Sequence, residues 1–159
     1  MMKISTTNDL GKVKASYNKS MQSLRNQILV CGGAGCVSSD CAAIQVAVQE
    51  TLKQLGLVEN VTVLETGCIG TCSLGPVLLI QPEGVFYTKL TPELAEKIIT
   101  AYMEDGKILE EYTFYDRSLN EHIPLIENIS FFNKQEKIAL RNCGAMEHGS
   151  LEAYVARDG

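Results

Sequence analysis

Two short apolar runs each end directly in a glycine-rich turn that carries two cysteines. Gln27-Ile-Leu-Val30 runs into Cys31-Gly-Gly-Ala-Gly-Cys36, and Asn60-Val-Thr-Val-Leu-Glu65 runs into Thr66-Gly-Cys68-Ile-Gly-Thr-Cys72. Both runs are too short for helices and rich in strand formers. Between them, Ser38, Ser39 and Asp40 offer N-cap candidates for a helix from about Cys41 to Leu55, stopped by Gly56, with Ile44, Val48 and Leu52 on its buried face. A strand, a crossover helix and a second strand make a parallel βαβ unit. Both cysteine turns then leave the carboxyl end of one sheet, where open α/β folds place their sites. Four thiols are in a position to converge there.

The flanking segments complete a small α/β domain. Residues 8–26 carry Val13, Tyr17, Met21 and Leu24 at helical spacing. After the second cysteine turn, Val77 to Ile80 and Val85 to Thr88 read as two strands joined by a tight turn at Pro82-Glu-Gly84. Thr91 is the N-cap of a further helix, with Pro92 at its first position and Gly106 at its end. The expected fold class is α/β, a small mixed sheet flanked by helices over residues 27–106, with an N-terminal helix within 1–26. Residues 107–129, with scattered aromatics and Pro124, read as an extended linker. Residues 131–140 alternate in part, as a strand would, and Ser150 caps a short helix. Residues 107–159 thus form an extended C-terminal tail, too small to bury a core of its own.

Charge and cysteine usage narrow the chemistry. A formal charge of -5 with interspersed signs argues against a nucleic-acid binder, whose footprint would be a basic patch. Met1 to Lys14 is polar and mixed, unlike a secretory leader. The longest apolar stretch, Val77 to Ile80, falls far short of the roughly 20 residues that span a bilayer. A cytoplasmic chain without direct membrane insertion is expected. Thiols stay reduced in that compartment, so six cysteines point to metal binding or redox chemistry rather than a disulfide framework.

Four residues separate Cys31 from Cys36 and three separate Cys68 from Cys72. Structural zinc sites usually pair cysteines across two residues, as do thioredoxin-type dithiols, and this chain contains no such pair. Cys41 repeats the spacing of the first pair, so spacing alone leaves 31/36 and 36/41 open. Position favours the former, because Cys31 closes a strand whereas Cys41 opens a helix, where a small buried thiol is the plainer reading. Cys143, in Arg141-Asn-Cys-Gly144, reads as structural. A 2Fe-2S core with four cysteinates carries a charge of about -2, falling to about -3 on reduction. Amide N–H groups in glycine-rich turns, and the start of the following helix, offset that charge. No acid, base or nucleophile constellation stands out, so no catalytic residue is expected. His122 and His148 read as ordinary surface or packing residues, and Glu110 and Glu111 as a solvated charge pair.

Cys31-Gly-Gly-Ala-Gly-Cys36, Glu65-Thr-Gly-Cys68-Ile-Gly-Thr-Cys72-Ser-Leu-Gly-Pro76 and Gln81-Pro-Glu-Gly-Val-Phe-Tyr87 resemble the thioredoxin-like 2Fe-2S ferredoxin domain. That domain occurs at the amino end of the flavoprotein (NADH-binding) subunit of NAD-dependent, electron-bifurcating hydrogenases and related NADH dehydrogenases. The resemblance covers roughly residues 10–106 and implies a thioredoxin-like fold, with a 2Fe-2S cluster held by Cys31, Cys36, Cys68 and Cys72. It places Pro76 where thioredoxins have a cis proline, although trans is the default for X-Pro bonds. Ile138-Ala-Leu-Arg-Asn-Cys-Gly144 and Leu151-Glu-Ala-Tyr-Val-Ala-Arg-Asp-Gly159 resemble the opening of the flavin- and NADH-binding core of the same subunit. The implied chain is a truncated form of that subunit, passing single electrons beside other subunits of a hydrogenase or NADH dehydrogenase complex. FMN and NAD would bind only in the full-length family, so this chain is not expected to oxidise NADH by itself. Two other readings compete: a zinc-stabilised structural domain, and a subunit-docking module that lays 107–159, with Tyr112, Phe114, Tyr115, Phe131 and Phe132, across a partner.

Overall fold

A computed structural model describes residues 5–158. Helix α1 spans Thr7–Gln22, opened by a capping box in which Thr6 and Asp9 satisfy each other's backbone amides. It stops short of the helical stripe read to residue 26, because Asn26 is already paired with Val61 in the sheet. Strand β1 (Asn26–Cys31) runs parallel to β2 (Val61–Thr66) in an unbroken register from Asn26↔Val61 to Cys31↔Thr66. The other edge of β1 pairs antiparallel with β3 (Leu78–Gln81), which pairs in turn with β4 (Val85–Tyr87). The order β2-β1-β3-β4 makes the expected small mixed sheet. β1 is fully internal, and Ile28, Leu29 and Val30 are buried.

The crossover has one element more than expected. A single turn, α2 (Ala34–Val37), forms inside the first cysteine segment and contains Cys36. Asp40, held at φ 60°, then redirects the chain, and its side chain caps α3 (Cys41–Gln54) at the Ala43 amide. α3 buries Ile44, Val48 and Leu52, as its sequence indicates, and packs on α4 (Pro92–Asp105), which is capped by Thr91 and closed by Gly106. The Gly75–Pro76 bond is cis, and so is Gln81–Pro82 at the β3–β4 turn.

The tail departs most from expectation. Residues 107–129 are no extended linker: β5 (Phe114–Asp116) and β6 (Glu121–Ile123) form an antiparallel hairpin, and Ile123 and Ile129 are buried in the common core. The Phe86 amide donates to the Pro124 carbonyl at 2.8 Å, fixing the segment against β4. The expected strand over 131–140 is instead a helical turn, α5 (Ser130–Asn133), followed by bends. Phe132 leaves the alternation to stack edge-on against Phe86, with ring centroids 5.7 Å apart. Tyr112, Phe114 and Phe132 all pack on the chain's own core, which removes most of the aromatic surface invoked for docking; Tyr115 and Phe131 stay half exposed. Helix α6 (Leu151–Ala156) is capped by Ser150, as read, and packs against α1, with Lys14 Nζ 2.5 Å from the Asp158 carboxylate. Glu110 and Glu111 are exposed. Among the described residues, no helix is long and apolar enough to cross a membrane.

Candidate metal centre

Parallel pairing of β1 with β2 delivers both cysteine segments to one end of the sheet. Cys31 is the last residue of β1 and Thr66, its register partner, the last of β2. The Gly32 amide donates to the Thr66 carbonyl at 2.8 Å, so the two turns separate only beyond that bond. The second turn continues through Gly70, at φ 100°, to a 3-10 turn over Cys72–Leu74.

The segments interlock through absent side chains. A Cβ at Gly33 would lie 2.9 Å from Cys68 Sγ, and one at Gly35 2.9 Å from Cys72 Cβ and 3.3 Å from its Sγ. Reciprocally, a Cβ at Gly75 would lie 3.0 Å from Cys36 Sγ. Each segment's glycines therefore touch the other's cysteines, at separations real Cβ atoms rarely tolerate. This is close approach rather than turn-making, and it sets the first segment against Cys68 and Cys72 and the second against Cys36. Cys31 is a near neighbour of Cys36, close enough to raise its pKa.

Burial grades the four sulfurs. Cys31 and Cys36 are 3% and 2% exposed, Cys68 is intermediate and Cys72 is exposed. Burial pushes the Cys36 thiol up to about 12, and the adjacent Cys31 acts in the same direction, while the Val77 amide opposes them. A raised pKa is what burial does to any thiol, and a metal bound to Cys36 would displace that proton. Burial is also the main cause that raises Cys41, reinforced by the charge of Glu65. Cys41 is the buried first residue of α3, where the sequence put a plain packing thiol.

The donor set fits an iron–sulfur core. Four thiolates, two of them buried, drawn from two glycine-rich turns, match the soft-ligand chemistry of such clusters. Among the described residues, no three metal-binding side chains gather as the shell of a single ion. One further atom belongs to the fit: Thr71 Oγ1, between Cys68 and Cys72, is shielded from solvent and has no hydrogen-bond partner.

Several neighbours of the site were not legible in the sequence. Cys143, which reads as structural, comes so close to the second turn that a Cβ at Gly67 would lie 2.8 Å from its Sγ. The Gly144 amide donates to Thr66 Oγ1 at 2.8 Å, the His148 amide to the Glu65 carbonyl at 2.7 Å, and Lys137 Nζ approaches the Ile69 carbonyl at 3.5 Å. The tail thus lies across the Cys68 turn. His122 sits apart, near the Thr113 carbonyl and packed on Tyr115.

Known proteins are similar to part of this chain. The family model described as Thioredoxin-like [2Fe-2S] ferredoxin matches residues 15–103. A 2Fe-2S ferredoxin of Clostridium pasteurianum is 35% identical over 75 residues, covering 47% of this chain and 74% of that protein. A putative 2Fe-2S ferredoxin of Priestia megaterium is 27% identical over 92 residues, covering 58% and 72%. The wild-type thioredoxin-like [2Fe-2S] ferredoxin of Aquifex aeolicus, in a crystal structure at 1.5 Å resolution, superposes with a TM-score of 0.51 at 23% identity, over 56% of this chain and 95% of that one, which is a likeness of fold.

Proposed function

The chain belongs to the thioredoxin-like [2Fe-2S] ferredoxin family, and from that premise we propose that Cys31, Cys36, Cys68 and Cys72 hold its 2Fe-2S cluster for one-electron transfer. The observation that carries the ligand assignment is the interlock of the two turns, in which Gly33 and Gly35 abut Cys68 and Cys72 while Gly75 abuts Cys36. When bound, the cluster supplies a site that takes up and returns a single electron. The protein's part is to hold and tune. The buried Cys31 and Cys36 anchor the site on β1 and α2, the Val77 amide stabilises negative charge on Cys36, and the exposed Cys72 faces outward.

The finer setting, also proposed, is an NADH-linked oxidoreductase or hydrogenase complex in the cytoplasm, with other subunits of that complex as electron partners. The segment from Ile138 to Gly144 and the α6 region support it, since their sequences resemble the opening of a flavin- and NADH-binding core.

The decisive experiment is anaerobic purification with iron and acid-labile sulfide analysis, visible absorption, and EPR of the reduced protein. Two irons and two sulfides per chain are expected, lost or altered in single Cys→Ser variants at 31, 36, 68 and 72 but retained in Cys41→Ser and Cys143→Ser. A colourless, zinc-containing protein would remove the electron-transfer reading. Loss of the cluster in Cys41→Ser with retention in Cys31→Ser would overturn the ligand set.

A further inference from the structure

Among the described residues, two buried side-chain oxygens have no hydrogen-bond partner, and one of them, Thr71 Oγ1, lies in the second cysteine turn. Its position makes that omission informative. Thr71 heads the 3-10 turn Cys72–Leu74, where a threonine hydroxyl ordinarily accepts a bond from an amide of the first turn. It makes no such bond, and it is also closed off from water, so neither usual partner is available. A hydroxyl both donates and accepts. As thiolates, the sulfurs of Cys68 and Cys72 are acceptors only, and so is the core they would hold. An unmade buried donor is costly, and an anionic acceptor held by the cysteines on either side of Thr71 in the chain would relieve that cost.

We propose that the Thr71 hydroxyl donates a hydrogen bond to a sulfur of the iron–sulfur site and thereby holds its reduction potential up. The inference rests on the cluster assignment above. Reduction adds one negative charge to the sulfurs, and a hydrogen bond donated to them strengthens as that charge grows, so it favours the reduced form. Thr71 is a positioning and tuning residue; it transfers no electron and no proton.

The test compares the full chain with Thr71→Val, Thr71→Ala and Thr71→Ser by redox titration, and by electron–nuclear double resonance of the reduced state after exchange into deuterium oxide. Thr71→Val and Thr71→Ala are expected to titrate at more negative potential than the parent chain and to lose one exchangeable-proton coupling. Thr71→Ser should restore both. Failure of the two hydroxyl-free variants to retain the cluster, with Thr71→Ser retaining it, would also support the bond. A potential and coupling unmoved in Thr71→Val or Thr71→Ala would overturn the proposal while leaving the cluster assignment intact, as would a Thr71→Ser chain that behaves like Thr71→Val. A parent chain with no 2Fe-2S signature would overturn both.

Discussion

At the scale of single residues, two unpartnered hydroxyls have opposite meanings. Thr71 stands beside a site that calls for a donor. Tyr87 lies in the core on β4, fully buried, with no hydrogen-bond partner within bonding geometry, and burial pushes its pKa up to about 12 against the opposing influence of the nearby Leu109 backbone. Because the folded chain keeps that proton more tightly than the unfolded chain, whose tyrosine titrates near 10, the stabilisation is complete below pH 10 and is lost as pH rises through 12. The loss is on the order of 2–3 kcal/mol for a shift of this size. Tyr87→Phe is therefore expected to match or exceed the parent's stability at pH 7 and to flatten the decline between pH 10 and 12. Denaturant melts across that range measure both. Tyr102 is raised in the same direction by burial and by Glu83, so the flattening will be partial.

At the scale of elements, the capped helices and the βαβ unit could be read directly from local pattern. The period of Ile44, Val48 and Leu52, the Thr91 and Ser150 caps and the Gly106 stop are statements about adjacent residues, and each holds in the structure. The interlock of the turns was only partly legible. Sequence put glycines beside cysteines, but that Gly35 faces Cys72 rather than its own segment's Cys36 depends on the parallel register. Gly35→Ala puts a methyl 2.9 Å from Cys72 Cβ and is expected to cost about 1–3 kcal/mol through overpacking. Thermal melts together with iron content per chain check this, and a variant with unchanged melting and full iron would contradict the close contact. The α2 turn and the Asp40 kink escaped the reading for a related reason, since a four-residue helix carries too little periodicity to announce itself.

At the scale of the whole molecule, the tail was the least legible part. The hairpin of β5 and β6 has three residues per strand, and partners far away in sequence decide its placement: Thr113 bridges to Tyr87 and Leu125 to Val85. Farther along, Cys143, Gly144 and His148 settle against a turn some 75 residues upstream, and no local signal encodes such a contact. The Gly144–Thr66 bond connects the tail to the end of β2, where Thr66 is wholly buried. Thr66→Val leaves the Gly144 amide unpaired and is expected to cost about 1–3 kcal/mol. It should speed hydrogen exchange at Gly144 and hasten bleaching of the cluster by an iron chelator. Unaltered bleaching would mean that the tail does not guard the turn.

The grading of the four cysteines, from Cys31 and Cys36 inside to Cys72 outside, gives the proposed centre a buried side and an exposed one. Electron hopping between proteins weakens with separation, so an electron carrier gains most by approaching the exposed side of the proposed centre, away from the buried Cys31 and Cys36. The most open approach to the proposed centre is around Cys72 and the exposed Ser73, with Cys68 partly open beside it.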